Sequence, residues 1–202
     1  PAIHVTTSSD VVREYKEYER FSTAALNAYV MPVMDRYLER LELRLADAGY
    51  RGVVEMMKSS GGLMRASTAR RYPVETLLSG PAAGVMGAIH VAERSGFRNL
   101  ITYDMGGTST DVGLIRDGVP QVSSELELEY AMPVHVPMVD VRTVGAGGGS
   151  IARIDAGGML RVGPESAGSN PGPICYGRGG TRPTISDANI LLGRLSPDRF
   201  GH

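Results

Sequence analysis

The sequence predicts an α/β fold, and three observations predict it. An apolar repeat at helical spacing runs over about residues 23–47. From Asn99 onward, short β-type runs take over. The glycines gather in clusters at the ends of those runs instead of recurring at a fixed period. Helical spacing buries one face of a helix, whereas short β-branched runs closed by turn residues form strands.

Taken in order, residues 2–7 are rich in β-branched types and predict a strand, followed by a polar turn at Ser8, Ser9 and Asp10. In the helical segment Leu26, Val30, Val33, Tyr37, Leu41 and Leu45 recur every three or four residues and define the expected apolar face. Ser22 or Thr23 is placed to cap its start and Gly49 to end it, while Pro32 predicts a kink or break because it lacks an amide proton. Val53 to Met57 predicts a short strand entering a turn at Gly61 and Gly62. Ser79 or Gly80 is placed to cap a helix with Pro81 in its first turn, which continues to about Arg94. Leu100 to Tyr103 and Asp111 to Ile115 predict strands on either side of a glycine turn, and Asp117-Gly118 signals another hairpin. Val139 to Val144 predicts one further strand. Ile151 to Asp155 and Met159 to Val162 flank a hairpin turn at Gly157 and Gly158. Residues 163–184 predict an irregular loop, and a helix from Asp187 to Leu195 follows with Ser186 as its cap.

Composition narrows the function classes. The formal net charge is −1 and no run of lysine or arginine occurs, so nucleic acid and anionic membrane partners lack an electrostatic footprint. The single cysteine, Cys175, excludes an internal disulfide framework and a multi-cysteine metal site, which suits a cytoplasmic protein. No apolar run approaches the roughly 18–20 residues that span a bilayer. The chain begins at Pro1 and stops at His202 just after a predicted helix, and it is expected to be an internal piece of a longer protein. His4, His90, His135 and His202 show no metal-ligand spacing and are expected to be packing or surface groups. Cys175 is expected to be a structural thiol.

The strongest local signal is a strand, then Asp104-Met-Gly-Gly-Thr-Ser-Thr-Asp111, then a strand. Phosphate binding requires backbone amides to converge on oxygen with no side chain in the way, which Gly106 and Gly107 permit. The hydroxyls of Thr108, Ser109 and Thr110 add donors, and Asp104 can hold a magnesium-bound water beside phosphate. Carboxylates beside phosphates repel without a metal, so magnesium is inferred. The same octapeptide also suits a plain β-hairpin whose Asp and Thr side chains satisfy turn amides. It has no lysine and is not a Walker loop. A second cluster, Gly145, Gly147, Gly148 and Gly149, follows a strand without matching the dinucleotide fingerprint. Two glycine loops can clasp one nucleotide. Ser79 and Gly80, at a predicted helix start, are compatible with facing the same anion.

Together these segments resemble the hydantoinase A family, which groups ATP-dependent hydantoinases, 5-oxoprolinases and subunits of acetone and acetophenone carboxylases. The resemblance rests on Glu17-Tyr-Glu-Arg20, Leu26-Asn-Ala-Tyr-Val30, Ser79-Gly-Pro-Ala-Ala-Gly-Val85, and the octapeptide with its flanking Tyr103 and Val112. It continues through Thr143-Val-Gly-Ala-Gly-Gly-Gly-Ser-Ile-Ala152, Gly163-Pro-Glu-Ser-Ala-Gly168, Pro171-Gly-Pro-Ile-Cys-Tyr-Gly-Arg-Gly-Gly180 and Asp187-Ala-Asn189. The family is similar to the actin, Hsp70 and sugar-kinase superfamily, so the resemblance implies a fragment of a ribonuclease-H-like ATPase fold. Residues 1–98 would be a helical and connecting part, and residues 99–202 the second ribonuclease-H-like lobe.

The resemblance implies that the turn at 104–111 is the second phosphate loop of an ATP and Mg2+ site, with Asp104 and Asp111 as the catalytic carboxylates and Asp104 nearest the metal. Loop 145–150 would lie near the nucleoside. The implied reaction phosphorylates the carbonyl oxygen of a cyclic amide so that water opens the ring; a ketone carboxylase subunit is the rival within the family. A switch-type ATPase like actin or Hsp70 is the rival outside it. A hydantoinase B-type subunit, or a fused second half, would complete the enzyme.

Overall fold

The computed structural model describes residues 3–128 and 132–199. The chain forms two compact units. One contains Pro1–Leu100 with Leu114–Asp140, the other Ile101–Gly113 with Val141–His202. The division expected after residue 98 lies next to the first crossing, but the chain returns to the first unit at Leu114 and leaves it again after Asp140.

In the first unit, residues 3–7 carry no strand, and a single helical turn α1 (Ser8–Val11) precedes the long helix α2 (Glu17–Asp47). Helix α2 begins well before Ser22 and Thr23, so neither caps it. Glu17 and Glu19 occupy its first turn instead, where negative charge favours the helix dipole. Gly49, at φ +90°, follows the C-cap residue Ala48 as expected of a helix-ending glycine. Pro32 lies inside α2 without ending it.

The buried stripe of α2 is not the predicted one. Thr23, Ala24, Asn27, Met31 and Leu38 are buried, whereas Val33 and Tyr37 are exposed. The reason is polar pairing. Asn27 is fully buried and bonded at both ends of its amide. It donates to the Arg71 carbonyl at 3.1 Å and to Thr6 Oγ1 at 3.3 Å, and it accepts from the Val74 amide at 3.3 Å. Thr23 donates to the Glu19 carbonyl at 2.7 Å and accepts from the His135 amide at 2.9 Å. Two polar residues thus sit where periodicity alone expects apolar ones.

Strands β1 (Glu55–Met57) and β2 (Leu63–Arg65) pair antiparallel, with Gly61 at φ +84° in the turn as anticipated. Helix α3 (Ala66–Arg71) is fixed to α2 by the ion pair of Arg70 with Asp35. Helix α4 (Ser79–Arg94) begins at Ser79, but neither Ser79 nor Gly80 caps it. Its N-cap is Leu78, in the left-handed region at φ 52°, with no side-chain cap bond.

Strands β3 (Leu100–Met105) and β4 (Thr110–Arg116) lie side by side and both cross between the units. The end of β4 pairs with β5 (Val119–Pro120) around Asp117 and Gly118, both at positive φ. An antiparallel hairpin of β6 (Val122–Leu128) and β7 (Met132–Val139) has no counterpart in the sequence reading. Its Val134, Val136 and Met138 pack with Val74 to form one core, and Leu38, Met64 and Ala69 form another.

In the second unit, β8 (Val141–Val144) pairs antiparallel with the start of β4, from Thr110↔Val144 to Gly113↔Val141. The single strand expected over 139–144 is therefore two, interrupted at Asp140 where the chain changes unit. β9 (Ser150–Ile154) and β10 (Leu160–Ser166) form the expected hairpin. Asp155 accepts from the amides of Gly157 and Met159 and from Arg161. The Arg161 guanidinium, with those amides, holds its carboxyl below the ordinary range. Helix α5 (Ile185–Leu191) is capped by Thr184, not Ser186, through a reciprocal capping box with Asp187.

Replacing Asn27 with leucine keeps the volume but leaves the Val74 amide and Arg71 carbonyl buried without a partner. The expected destabilisation is about 2–4 kcal/mol, read as a lower urea midpoint at constant m value. A loss under about 1 kcal/mol would show that water re-pairs these groups.

Candidate functional site

The octapeptide forms the turn between β3 and β4. Asp104 is the second-last residue of β3, in its exposed end, and the Gly106 amide closes the turn on the Ser109 carbonyl at 2.9 Å. Among the described residues, the amides of Gly107, Thr108 and Ser109 have no acceptor, and the side chains of Asp104, Thr108 and Ser109 make no hydrogen bond. A Cβ built on Gly107 would meet nothing within 4 Å, so that side of the turn is open.

The second glycine cluster lies against this turn, backbone to backbone. The Gly148 amide donates to the Gly106 carbonyl at 2.8 Å, and the Gly149 amide to the Gly107 carbonyl at 2.6 Å. A Cβ on Gly147 would fall 2.6 Å from the Ser109 amide nitrogen and 2.7 Å from the Gly106 oxygen; on Gly149, 2.8 Å from the Gly107 oxygen. No side chain fits between the loops, which is why the sequence needs glycine there. Hydroxyls hold the second loop from behind. Thr110 Oγ1 donates to the Ala146 carbonyl at 2.6 Å, and Ser150 Oγ accepts from the Gly147 amide at 2.8 Å. The Ser186 and Ala167 amides take up the Gly148 and Gly149 carbonyls, each at 2.8 Å.

The two glycine loops expected to act together are thus adjacent, but with different local roles. The amides of Gly147, Gly148 and Gly149 are already bonded within the protein and offer nothing to an external anion. Gly145 is exposed at the end of β8. Thr110, expected as a phosphate donor, is buried at 2% exposure with its proton on Ala146, because as the first residue of β4 it faces the second loop. Asp111 accepts from Thr143 Oγ1 at 2.7 Å across the β4–β8 pair. Ser79 and Gly80 belong to the first unit, in the first turn of α4. Among the described residues no group of three or more His, Cys, Asp or Glu could hold a metal by itself. A single free carboxylate beside open amides and two free hydroxyls fits a hydrated divalent cation carried on phosphate, not a metal caged by protein alone. Ser186 escaped the sequence reading as part of this site; Ser150 was included in loop 145–150, but its bond to the Gly147 amide was not foreseen.

Residues 171–187 fold over a clamp made by Asp187. Its carboxylate accepts from the Cys175 amide at 2.7 Å and from the Thr184 amide and hydroxyl, each at 2.8 Å. Burial works against its charge, but these donors outweigh burial and hold the carboxyl below its ordinary value. Burial, reinforced by the Asp187 carboxylate, pushes the Cys175 thiol up to about 11, so it stays protonated at neutral pH and is no nucleophile. His135 is buried against Glu14 at 2.8 Å, a packing role, and His202 lies outside the described residues. No helix among the described residues is long and apolar enough to cross a membrane.

The fold is a mixed α/β fold of the ATPase type. It superposes on a nucleotide-free structure of acetone carboxylase with a TM-score of 0.75 at 32% identity, over 96% of this chain and 27% of that one. The chain belongs to the hydantoinase/oxoprolinase family, whose pattern matches residues 20–202. It is 44% identical over 197 residues to caprolactamase subunit alpha of Pseudomonas jessenii, covering 97% of this chain and 28% of that one. It is 38% identical over 198 residues to the 5-oxoprolinase of Saccharomyces cerevisiae, covering 98% of this chain and 15% of that one. It therefore spans less than a third of either curated relative.

Gly147→Ala is expected to force the two loops apart and lower stability by about 1–3 kcal/mol, whereas Gly107→Ala, built into open space, should leave the melting temperature nearly unchanged. Equal melting of both variants would mean that the loops are not in contact. Asp187→Asn should destabilise the chain at neutral pH. Because the folded carboxyl titrates below the usual 3.8, its stabilisation is complete above that value and disappears as the pH falls through the lower folded value. Melting temperatures of wild type and variant should converge in that acid range; a gap that persists there would assign the effect to something other than charge.

Proposed function

We propose that this chain is part of the ATP-binding portion of an ATP-dependent enzyme that opens a cyclic amide, and that the turn at 104–111 receives the phosphates. The observation that carries the site is that the amides of Gly107 and Thr108 and the side chains of Asp104, Thr108 and Ser109 are unpaired in this turn, beside open space at Gly107. The substrate class rests on the 44% identity to caprolactamase subunit alpha and the 38% identity to a 5-oxoprolinase.

When bound, magnesium ATP would supply a phosphoryl group to the ring carbonyl oxygen; one water adds at the activated carbon, the ring C–N bond breaks with its electron pair and a proton going to nitrogen, and a second water releases phosphate. The amides of Gly107 and Thr108 would point fixed dipoles at phosphate oxygens, where charge develops during transfer. The hydroxyls of Thr108 and Ser109 would donate to the same oxygens. Asp104 would orient water on the metal, and Asp111, held by Thr143, would keep the far end of the turn in register. Gly147, Gly148 and Gly149 would act by supporting the turn, with Gly145 at its margin. A second, hydantoinase B-type subunit or fused half is proposed to complete the enzyme, in keeping with a relative that is itself a subunit alpha.

Carboxylation of a ketone is the second reading, supported by the likeness to acetone carboxylase. Bicarbonate-dependent product formation would distinguish it. In the complete enzyme, Asp104→Ala and Thr108→Ala are each expected to lower cyclic-amide-stimulated ATP hydrolysis by roughly 10–1000-fold. Near-normal hydrolysis in both variants would remove the phosphate role from this turn.

A further inference from the structure

The second glycine loop does more than fill space, because peptide geometry couples it to the open side of the turn. A trans peptide unit is planar, and its carbonyl and amide point in opposite directions. Holding the Gly106 carbonyl with the Gly148 amide therefore aims the Gly107 amide away from the second loop. Holding the Gly107 carbonyl with the Gly149 amide aims the Thr108 amide the same way. Gly107, which joins the two peptide units, is exposed, and a Cβ on it would meet nothing within 4 Å, so open space adjoins these donors. The aim of two adjacent donors is set by two backbone bonds that lie behind them.

The position of the second loop depends in turn on few groups. Its front is all glycine and has no side chain to lock it. At its root the Thr110 hydroxyl donates to the Ala146 carbonyl at 2.6 Å, one residue before the glycine run, and at its end Ser150 Oγ accepts from the Gly147 amide at 2.8 Å. Thr110 and Ser150 are 2% and 0% exposed, so water cannot replace either bond. Both are too buried to reach a ligand on the open side.

We propose that Thr110 is a positioning residue for nucleotide binding: its hydroxyl holds the second glycine loop in the register that aims the Gly107 and Thr108 amides at phosphate. This rests on the reading of the turn as the phosphate site. It also separates Thr110 from its neighbour Thr108, whose hydroxyl is free on the open side. Ser150 holds the same loop from its other end.

The test uses the complete enzyme. Thr110→Val keeps the shape of the side chain and removes the bond, and Thr110→Ser restores the hydroxyl. Thr110→Val is expected to weaken ATP by at least about tenfold in kcat/KM while the KM for the cyclic amide stays within about twofold, and Thr110→Ser to recover most of the loss. A merely structural role would lower the amount of active enzyme and leave both KM values unchanged. Should Thr110→Val not fold, Ser150→Ala carries the same expectation. Wild-type ATP kinetics in a folded Thr110→Val or Ser150→Ala enzyme, alongside loss in Asp104→Ala and Thr108→Ala, would overturn the positioning role and leave the phosphate site standing. Normal ATP kinetics in Asp104→Ala and Thr108→Ala would overturn both.

Discussion

Two backbone hydrogen bonds between glycine loops, Gly148 to Gly106 and Gly149 to Gly107, are the constraint on which the second unit depends. The approach leaves no room for a Cβ at Gly147, Gly148 or Gly149, so glycine is required in the second loop, whereas a Cβ on Gly107 would meet nothing within 4 Å. Their consequence reaches outward. The loop after β8 is bound to the turn before β4, while β4 and β8 are themselves paired, so a strand pair and its two end loops form one stiff unit. The Ser186 and Ala167 amides, bonded to the same glycines from the other side, extend that stiffness to α5 and to the end of β10. A turn built from glycines would otherwise be among the most mobile parts of a protein. Here it is held from behind and open in front, the arrangement preorganised electrostatic binding requires.

Polar pairing plays a comparable part in the first unit. Asn27 ties α2 to the segment before it, to the end of α3 and to the short turn that follows, and Thr23 ties α2 to β7. Apolar packing alone would allow a long helix to slide or rotate by a residue at little cost. Directional bonds to a fully buried amide do not, because a shifted register would leave several buried groups unpaired. The aliphatic cores that α2 joins through Leu26 and Leu38 add burial energy, whereas Asn27 and Thr23 specify the orientation.

Asp187 shows the same economy in the second unit. One carboxylate caps α5 and gathers the Cys175 and Thr184 amides, so that a segment rich in glycine and proline closes on a helix end without a core of its own. Burial, with the Asp187 charge beside it, pushes the neighbouring thiol up, and the Cys175 amide is part of the clamp.

Much of this protein was legible in the sequence, because some signals are local. The strands on either side of the octapeptide, the Asp117-Gly118 turn, the hairpin around Gly157 and Gly158, and the glycine end of α2 all follow from preferences of neighbouring residues. The two glycine clusters marked the candidate site for the same reason. What the sequence could not decide is which groups face which. The buried stripe of α2 escaped periodicity because Thr23 and Asn27 are polar and their partners lie far along the chain. The β6–β7 hairpin escaped because its strands mix charged and apolar residues, and its stability comes from packing on Val74. Thr108 and Thr110 are both threonines in one motif, and only tertiary structure separates the free hydroxyl from the one bonded to Ala146. Local preference determines which residues can form a turn or a strand; the direction in which each donor points is settled only when a distant loop supplies the acceptor.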